Sequence, residues 1–271
     1  MSGQVVGRSA VGRAVVGGPA LGNGQRGGAL TTPARSVVPE RRLTGAQAAQ
    51  VGFTLPQSGL VVGRDNGGRP VSLRLFGPRP LRATFVGGWW AAQILMLRCL
   101  GYGANIAVEA IGAQERTTGT LATLGHWLAL DRAAGGTGNR VWPVMPGHPD
   151  PPGAAGRPLV RLRDTGPGTG SDPVIPAQAP WRTELTVLPR LTQAAVAAVA
   201  GAQVVLVQRI SPPETELAAS ALGWHRSALS ALSVLDNAMV AVVEKTAAAA
   251  DGRSVTYVWL TPTRLERMLF G

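Results

Sequence analysis

The sequence predicts an α/β fold: an open, mostly parallel sheet with helices on both faces, plus a C-terminal β-hairpin. Three observations lead there. Short apolar runs alternate with helical stretches over most of the chain after residue 80, the pattern of repeated βαβ units. The run at 203–208 has a wholly apolar centre, as strands covered on both faces do. Apolar residues make up 45% of the 271 positions, enough to bury a sizeable core.

Taken in order, residues 1–45 read as a disordered basic arm. They are rich in Gly, Arg, Ser and Pro, no acid precedes Glu40, and no period persists. Residues 46–271 read as one α/β domain. A short strand at 59–63 meets the turn Arg64-Asp65-Asn66-Gly67-Gly68, and Pro70 to Phe76 alternates, which makes a hairpin. A strand at 81–86 passes through Gly87-Gly88 into a helix at 89–101, ended by Gly101 to Gly103. Asn105 to Ala110 is the next strand, so 81–110 is a βαβ unit with parallel strands. A helix at about 115–130 and a strand near 140–145 come next. Strands at 159–163, 183–188 and 203–208 are separated by Gly/Pro loops and by an Ala/Val helix at 191–200. Helices at 212–222 and 224–232 lead to a hairpin of strands 239–243 and 254–260, then a short helix at 262–269. Ser211 reads as an N-cap, and Glu214 and Glu216 as first-turn acids, not as an acid/base pair.

Composition excludes several chemistries. Cys99 is the single cysteine, so the chain forms no internal disulfide and no multi-cysteine zinc site; in an apolar helical run it reads as a small buried thiol. His126, His148 and His225 stand apart, with no metal-ligand spacing, so no metal site is expected. No signal-peptide h-region and no spanning segment is apparent, which points to a cytoplasmic protein, at the membrane only through a partner. The net charge is +11, yet Lys245 is the only lysine, and aromatics are about 5%. The arginines are scattered. They read as compositional bias or as attraction to phosphate or an acidic surface.

In open α/β sheets the turn after the first strand is the natural phosphate cradle. Here it reads Phe85-Val86-Gly87-Gly88-Trp89-Trp90. A P-loop needs G-x-x-x-x-G-K-[ST], whose lysine reaches the phosphates and whose hydroxyl holds magnesium; neither residue is present. The dinucleotide pattern G-x-G-x-x-G fails as well, because Gly87 and Gly88 are adjacent. Glu109, about 20 positions on at the end of the next strand, stands where a ribose-binding acid belongs. Asp164 ends the strand at 159–163, where many ATPases hold a magnesium-organising acid. It also reads as the start of a turn, with Gly166 to Ser171 a weak phosphate-loop candidate. Arg161 and Arg163 alternate along that strand and suggest a polar, shallow face. Gly87, Gly88, Glu109 and Asp164 are thus the cofactor-binding candidates, with no complete nucleotide motif. Trp89 and Trp90 either pack in the core or anchor a protein partner. There is no G-x-S-x-G elbow and no catalytic residue can be named.

Two stretches resemble a family. The run 58–76 (SGLVVGRDNGGRPVSLRLF) with strand 81–86 and its Gly turn resembles the opening of the motor domain of FtsK-like secretion and conjugation ATPases. The run 203–223 (QVVLVQRISPPETELAASALG) with the hairpin 239–260 resembles the end of such a domain. The resemblance implies a P-loop-like fold, here degenerate, in a pseudo-ATPase with tryptophans where Lys and Ser/Thr would stand. It implies a scaffold or assembly component of a secretion machine, in an actinobacterial type VII (ESX) setting, with a secretion ATPase or membrane complex as partner. Two readings stay open beside it: a Rossmann-like nucleotide or dinucleotide binder using Gly87, Gly88 and Glu109, and a nucleic-acid-associated protein using the arginine-rich arm.

Overall fold

Ten strands join in a single sheet ordered β2-β1-β10-β9-β8-β3-β7-β6-β4-β5. The computed structural model describes residues 59–110, 120–145, 148–164, 179–245 and 254–270. The arm at 1–45, the expected helix start at 115–119 and the Gly166 to Ser171 loop lie outside the described residues. The elements are β1 (Leu60–Arg64), β2 (Pro70–Leu73), β3 (Leu81–Val86), α1 (Trp89–Gly101), β4 (Asn105–Ala110), α2 (Thr120–Ala133) and β5 (Val141–Pro143). Then come β6 (Leu159–Asp164), β7 (Arg182–Leu188), a 3₁₀ turn, α3 (Val196–Gly201), β8 (Val204–Val207) and α4 (Pro212–Leu222). A second 3₁₀ segment (Arg226–Ser233), β9 (Met239–Glu244), β10 (Ser254–Trp259) and α5 (Arg264–Phe270) complete the order.

The strands from β5 to β8 run parallel, and β9, β10, β1 and β2 add an antiparallel edge. The fold is therefore an open, mostly parallel α/β sheet. Successive side chains point to opposite faces, and each face carries an apolar cluster. Phe85, Leu162, Leu185 and Leu206 pack with α1 and Trp127 of α2 on one face. Val86, Leu188, Val205 and Val207 pack with α3 and α4 on the other. All seven residues of β7, in the middle of the sheet, are buried. β3 and β4 are parallel, as the βαβ reading requires, but β7 and β6 lie between them. The two outer strands, β2 and β5, both contain a proline, Pro70 and Pro143, which blunts further strand pairing.

Local chemistry accounts for the element ends. The Asp65 carboxylate accepts the amides of Gly67 and Arg69, each at 2.9 Å, and Gly68 takes φ +76°, so the first hairpin closes at the expected turn. Helix α1 ends where Gly103 takes φ +97° and the amides of Gly103 and Ala104 donate to the carbonyls of Leu100 and Cys99. Within α1, burial pushes the Cys99 thiol up to about 12, which keeps it protonated. Before α4, Glu214 reaches back to the Ser211 amide at 2.8 Å, as its capping role requires.

Arg98 of α1 ties four elements together. Its Nη1 donates to the carbonyl of Val62 on β1 and its Nη2 to that of Leu260 just after β10. Its Nε meets Oε1 of Glu266 on α5 at 2.6 Å. Burial alone would raise the Glu266 carboxyl; Arg98 and the Thr263 amide outweigh that and hold it below its ordinary 4.5. A carboxylate with a depressed folded-state pKa contributes stability above its unfolded pKa and loses it as pH falls through the folded value. Thermal stability should therefore decline below about pH 4.5, with a shallower decline in Glu266→Gln. Glu266→Ala leaves Arg98 without its carboxylate in a mostly buried site, and should cost about 3 kcal/mol in denaturant unfolding at pH 7.

Candidate functional site

The ligand edge of such a sheet lies beyond the C-terminal ends of its parallel strands, between neighbours whose outgoing connections run in opposite directions. From β3 the chain crosses to β4 on one side; from β7 it crosses past β3 to β8 on the other. The crevice belongs between β3 and β7, where Gly87 and Gly88 leave the sheet.

That crevice is closed from within. The Gly87 amide donates to the Leu188 carbonyl at the end of β7, at 2.9 Å. The Gly88 amide, at the N-cap of α1, donates to Oε1 of Gln208 at 2.7 Å. Gln208 directly follows β8, and its own amide donates to the Val86 carbonyl. Its Nε2 donates to the Asn237 carbonyl at 2.7 Å, which fixes which end of the carboxamide faces Gly88. The glycine at 87 has a steric reason as well. A Cβ there would stand 2.6 Å from Gln208 Oε1 and 2.9 Å from its Cβ and Cγ. Gly87 is the position that the packing of Gln208 requires, and the Gly87 and Gly88 amides are both engaged within the protein.

Trp89 and Trp90 open α1, half-buried, and both pack against the core. Trp89 meets the fully buried Trp127 of α2 edge-on, with ring centroids 4.3 Å apart, and reaches His126 at 6.3 Å. The indole Nε1 of Trp127 in turn donates to Oδ2 of Asp164 in a long bond of 3.4 Å. A neutral indole thus stands at the acid that would organise a metal. Lys245 is remote from this edge. Its Nζ donates to the carbonyls of Val199 and Ala200 at 3.0 and 2.7 Å, capping the end of α3. Its neighbour Glu244 pairs with Val204 at the start of β8, so the lone lysine sits at the opposite edge from Gly88.

Glu109 does not join Asp164. In register it lies beside Arg163, on the face opposite the Trp127 side. Its Oε2 accepts from Nε and Nη2 of Arg161 at 2.8 and 2.5 Å, and its Oε1 lies 3.4 Å from Arg163 Nε. Arg163 also meets Glu184 of β7 at 3.2 Å. Asp150 Oδ2 bridges Arg161 at 2.9 Å and Arg182 at 2.7 Å. Three guanidinium groups thus face three carboxylates, and all six side chains are buried. The alternation of Arg161 and Arg163, read in the sequence as a shallow polar face, is corrected here: these side chains are 8% and 6% exposed. Burial opposes the Arg161 charge; Glu109 and Asp150 outweigh it and hold its pKa above the ordinary value. The Glu109 carboxylate is committed to this network and not to the turn at Gly87.

Gln208, Trp127, Asp150 and Arg182 are the residues that sequence reasoning missed. Gln208 had one visible signal: a polar residue closing the apolar run Val204–Val207. Nothing in the sequence joins it to Gly88, 120 positions away.

No known family matches the chain, and no curated protein matches it. Among solved structures it is similar to the pCW3 conjugation coupling protein TcpA, in its monomer form with ATPγS. The two share 10% sequence identity at a TM-score of 0.41, over 76% of this chain and 67% of that one.

Two measurements check these assignments. Gly87→Ala should destabilise by about 1–3 kcal/mol through its clash with Gln208. Combining it with Gln208→Ala should give a clearly less-than-additive loss in denaturant melts; strict additivity would show that the glycine answers to something else. Glu109→Gln should cost about 3 kcal/mol without any nucleotide present, because two buried arginines lose their shared carboxylate.

Proposed function

We propose that this chain is a non-catalytic scaffold or assembly component built on a nucleotide-binding-like fold. One observation carries the reading: Gln208 and Leu188 already hold the Gly88 and Gly87 amides, so neither is left for a phosphate. Two others support it. Trp127 donates to Asp164, and the sole lysine caps a helix at the far edge. The sequence likeness of 58–76 and 203–223 to FtsK-like domains sets the proposed context as a secretion or conjugation machine, more narrowly an actinobacterial type VII (ESX) system. The partner in that context is a secretion ATPase or its membrane complex, met from the cytoplasmic side. Among the described residues no helix is long and apolar enough to cross a membrane, so attachment there would run through the partner.

The test is a thermal-shift panel of ATP, GTP, NAD and their magnesium complexes, run beside an ATP-turnover assay. A ligand at ~100 times its dissociation constant adds about 2.7 kcal/mol to stability, a readily visible shift. The expected result is no shift and no turnover. Hydrolysis abolished by Asp164→Asn, or a shift abolished by Gly87→Ala, would overturn the reading.

A further inference from the structure

Helix α5 turns its acid inward and two of its apolar residues outward. Glu266 is 3% exposed and paired with Arg98, while Leu265 is 42% and Met268 73% exposed. Glu266 is buried because Arg98 pairs with it, and its inward turn leaves the helix's exposed side to Leu265, Met268 and the arginines. Leu265 and Met268 are three positions apart, so they share one side of the helix. Arg264 and Arg267 flank them, both exposed. Glu266 is the only acid in α5, so the outward surface carries apolar and cationic groups alone.

We propose that the outer face of α5 docks an acidic amphipathic helix of a partner protein, whose apolar stripe meets Leu265 and Met268 and whose bordering carboxylates meet Arg264 and Arg267. This is the seam-and-flank arrangement by which helices select partners, with apolar residues in contact and charges alongside choosing the mate. Charge excludes a second copy of this chain as the occupant. The chain carries +11, and like faces would set arginine against arginine. A seven-residue helix covers far less than the roughly 1,200 Å² of a stable interface, so the contact by itself is weak and salt-sensitive. The inference is independent of whether the turn at Gly88 binds a nucleotide.

The probe is a fluorescein-labelled peptide of about three Leu/Glu heptads, titrated with the full chain by fluorescence anisotropy. A matched Leu/Lys peptide and phosphatidylglycerol vesicles serve as parallel arms. Saturable binding of the acidic peptide is expected, with none of the basic one, and with weakening as salt rises. Leu265→Ser with Met268→Ser should weaken binding by about tenfold or more. Both sites are exposed, so an unchanged melting temperature separates lost contact from lost fold. Arg264→Glu with Arg267→Glu should reverse the preference toward the basic peptide. Failure to bind the acidic peptide, equal binding of both peptides, indifference to the Ser variants, or binding to vesicles alone would each overturn the proposal.

Discussion

The amides of the turn between β3 and α1 need acceptors, and that requirement organises the ligand edge of the sheet. Unpaired main-chain donors at a helix start are satisfied by side chains, water or a bound anion. Here a carboxamide from the end of β8 and a carbonyl from the end of β7 do it. Much follows from that choice. Residue 87 has to be glycine because the Gln208 side chain lies against it. α1 begins at a fixed point, which sets Trp89 on Trp127, and Trp127 reaches Asp164. β3, β7 and β8 are tied at their C-terminal ends where many α/β sheets open a crevice.

Farther along the sheet a different solution operates. Buried charges are costly unless paired and hydrogen-bonded. Glu109, Arg161, Arg163, Arg182, Glu184 and Asp150 balance one another across three adjacent parallel strands and a loop. Arg161 alone joins β6 to β4 and, through Asp150 and the carbonyls of His148 and Met145, to the segment after β5. A one-residue slip of β6 would turn its arginines to the opposite, apolar face. The network therefore specifies register where apolar residues alone would be less selective.

Strand and helix positions were legible because period, turn chemistry and caps are local. The Asp65 turn, the Gly103 helix end, the Glu214 cap and the C-terminal hairpin are all visible within a few residues of sequence. Non-local pairing was not. The order that slips β7 and β6 between β3 and β4 depends on cross-strand partners such as Glu109 with Arg163 and Arg161 with Glu184. Arg161 and Arg163 misread as a shallow face because their partners lie on other strands. The missing lysine and hydroxyl were plain in the sequence; the carboxamide that fills the turn was not, since Gln208 lies 120 positions from Gly88.

Strand order also constrains how the chain can be built. The hairpin of β1 and β2 joins the rest of the sheet through β10, which pairs with β9 on its other side. Emerging from a ribosome, the hairpin would wait for Ser254–Trp259 before it could pair with another strand of the sheet, keeping a strand edge open while the elements between them are made. Contacts so distant in sequence form late and leave nascent chains open to mispairing. Completion of the sheet thus waits on residues 254–259, and a stop ahead of residue 254 would leave the β1–β2 hairpin without its strand partner.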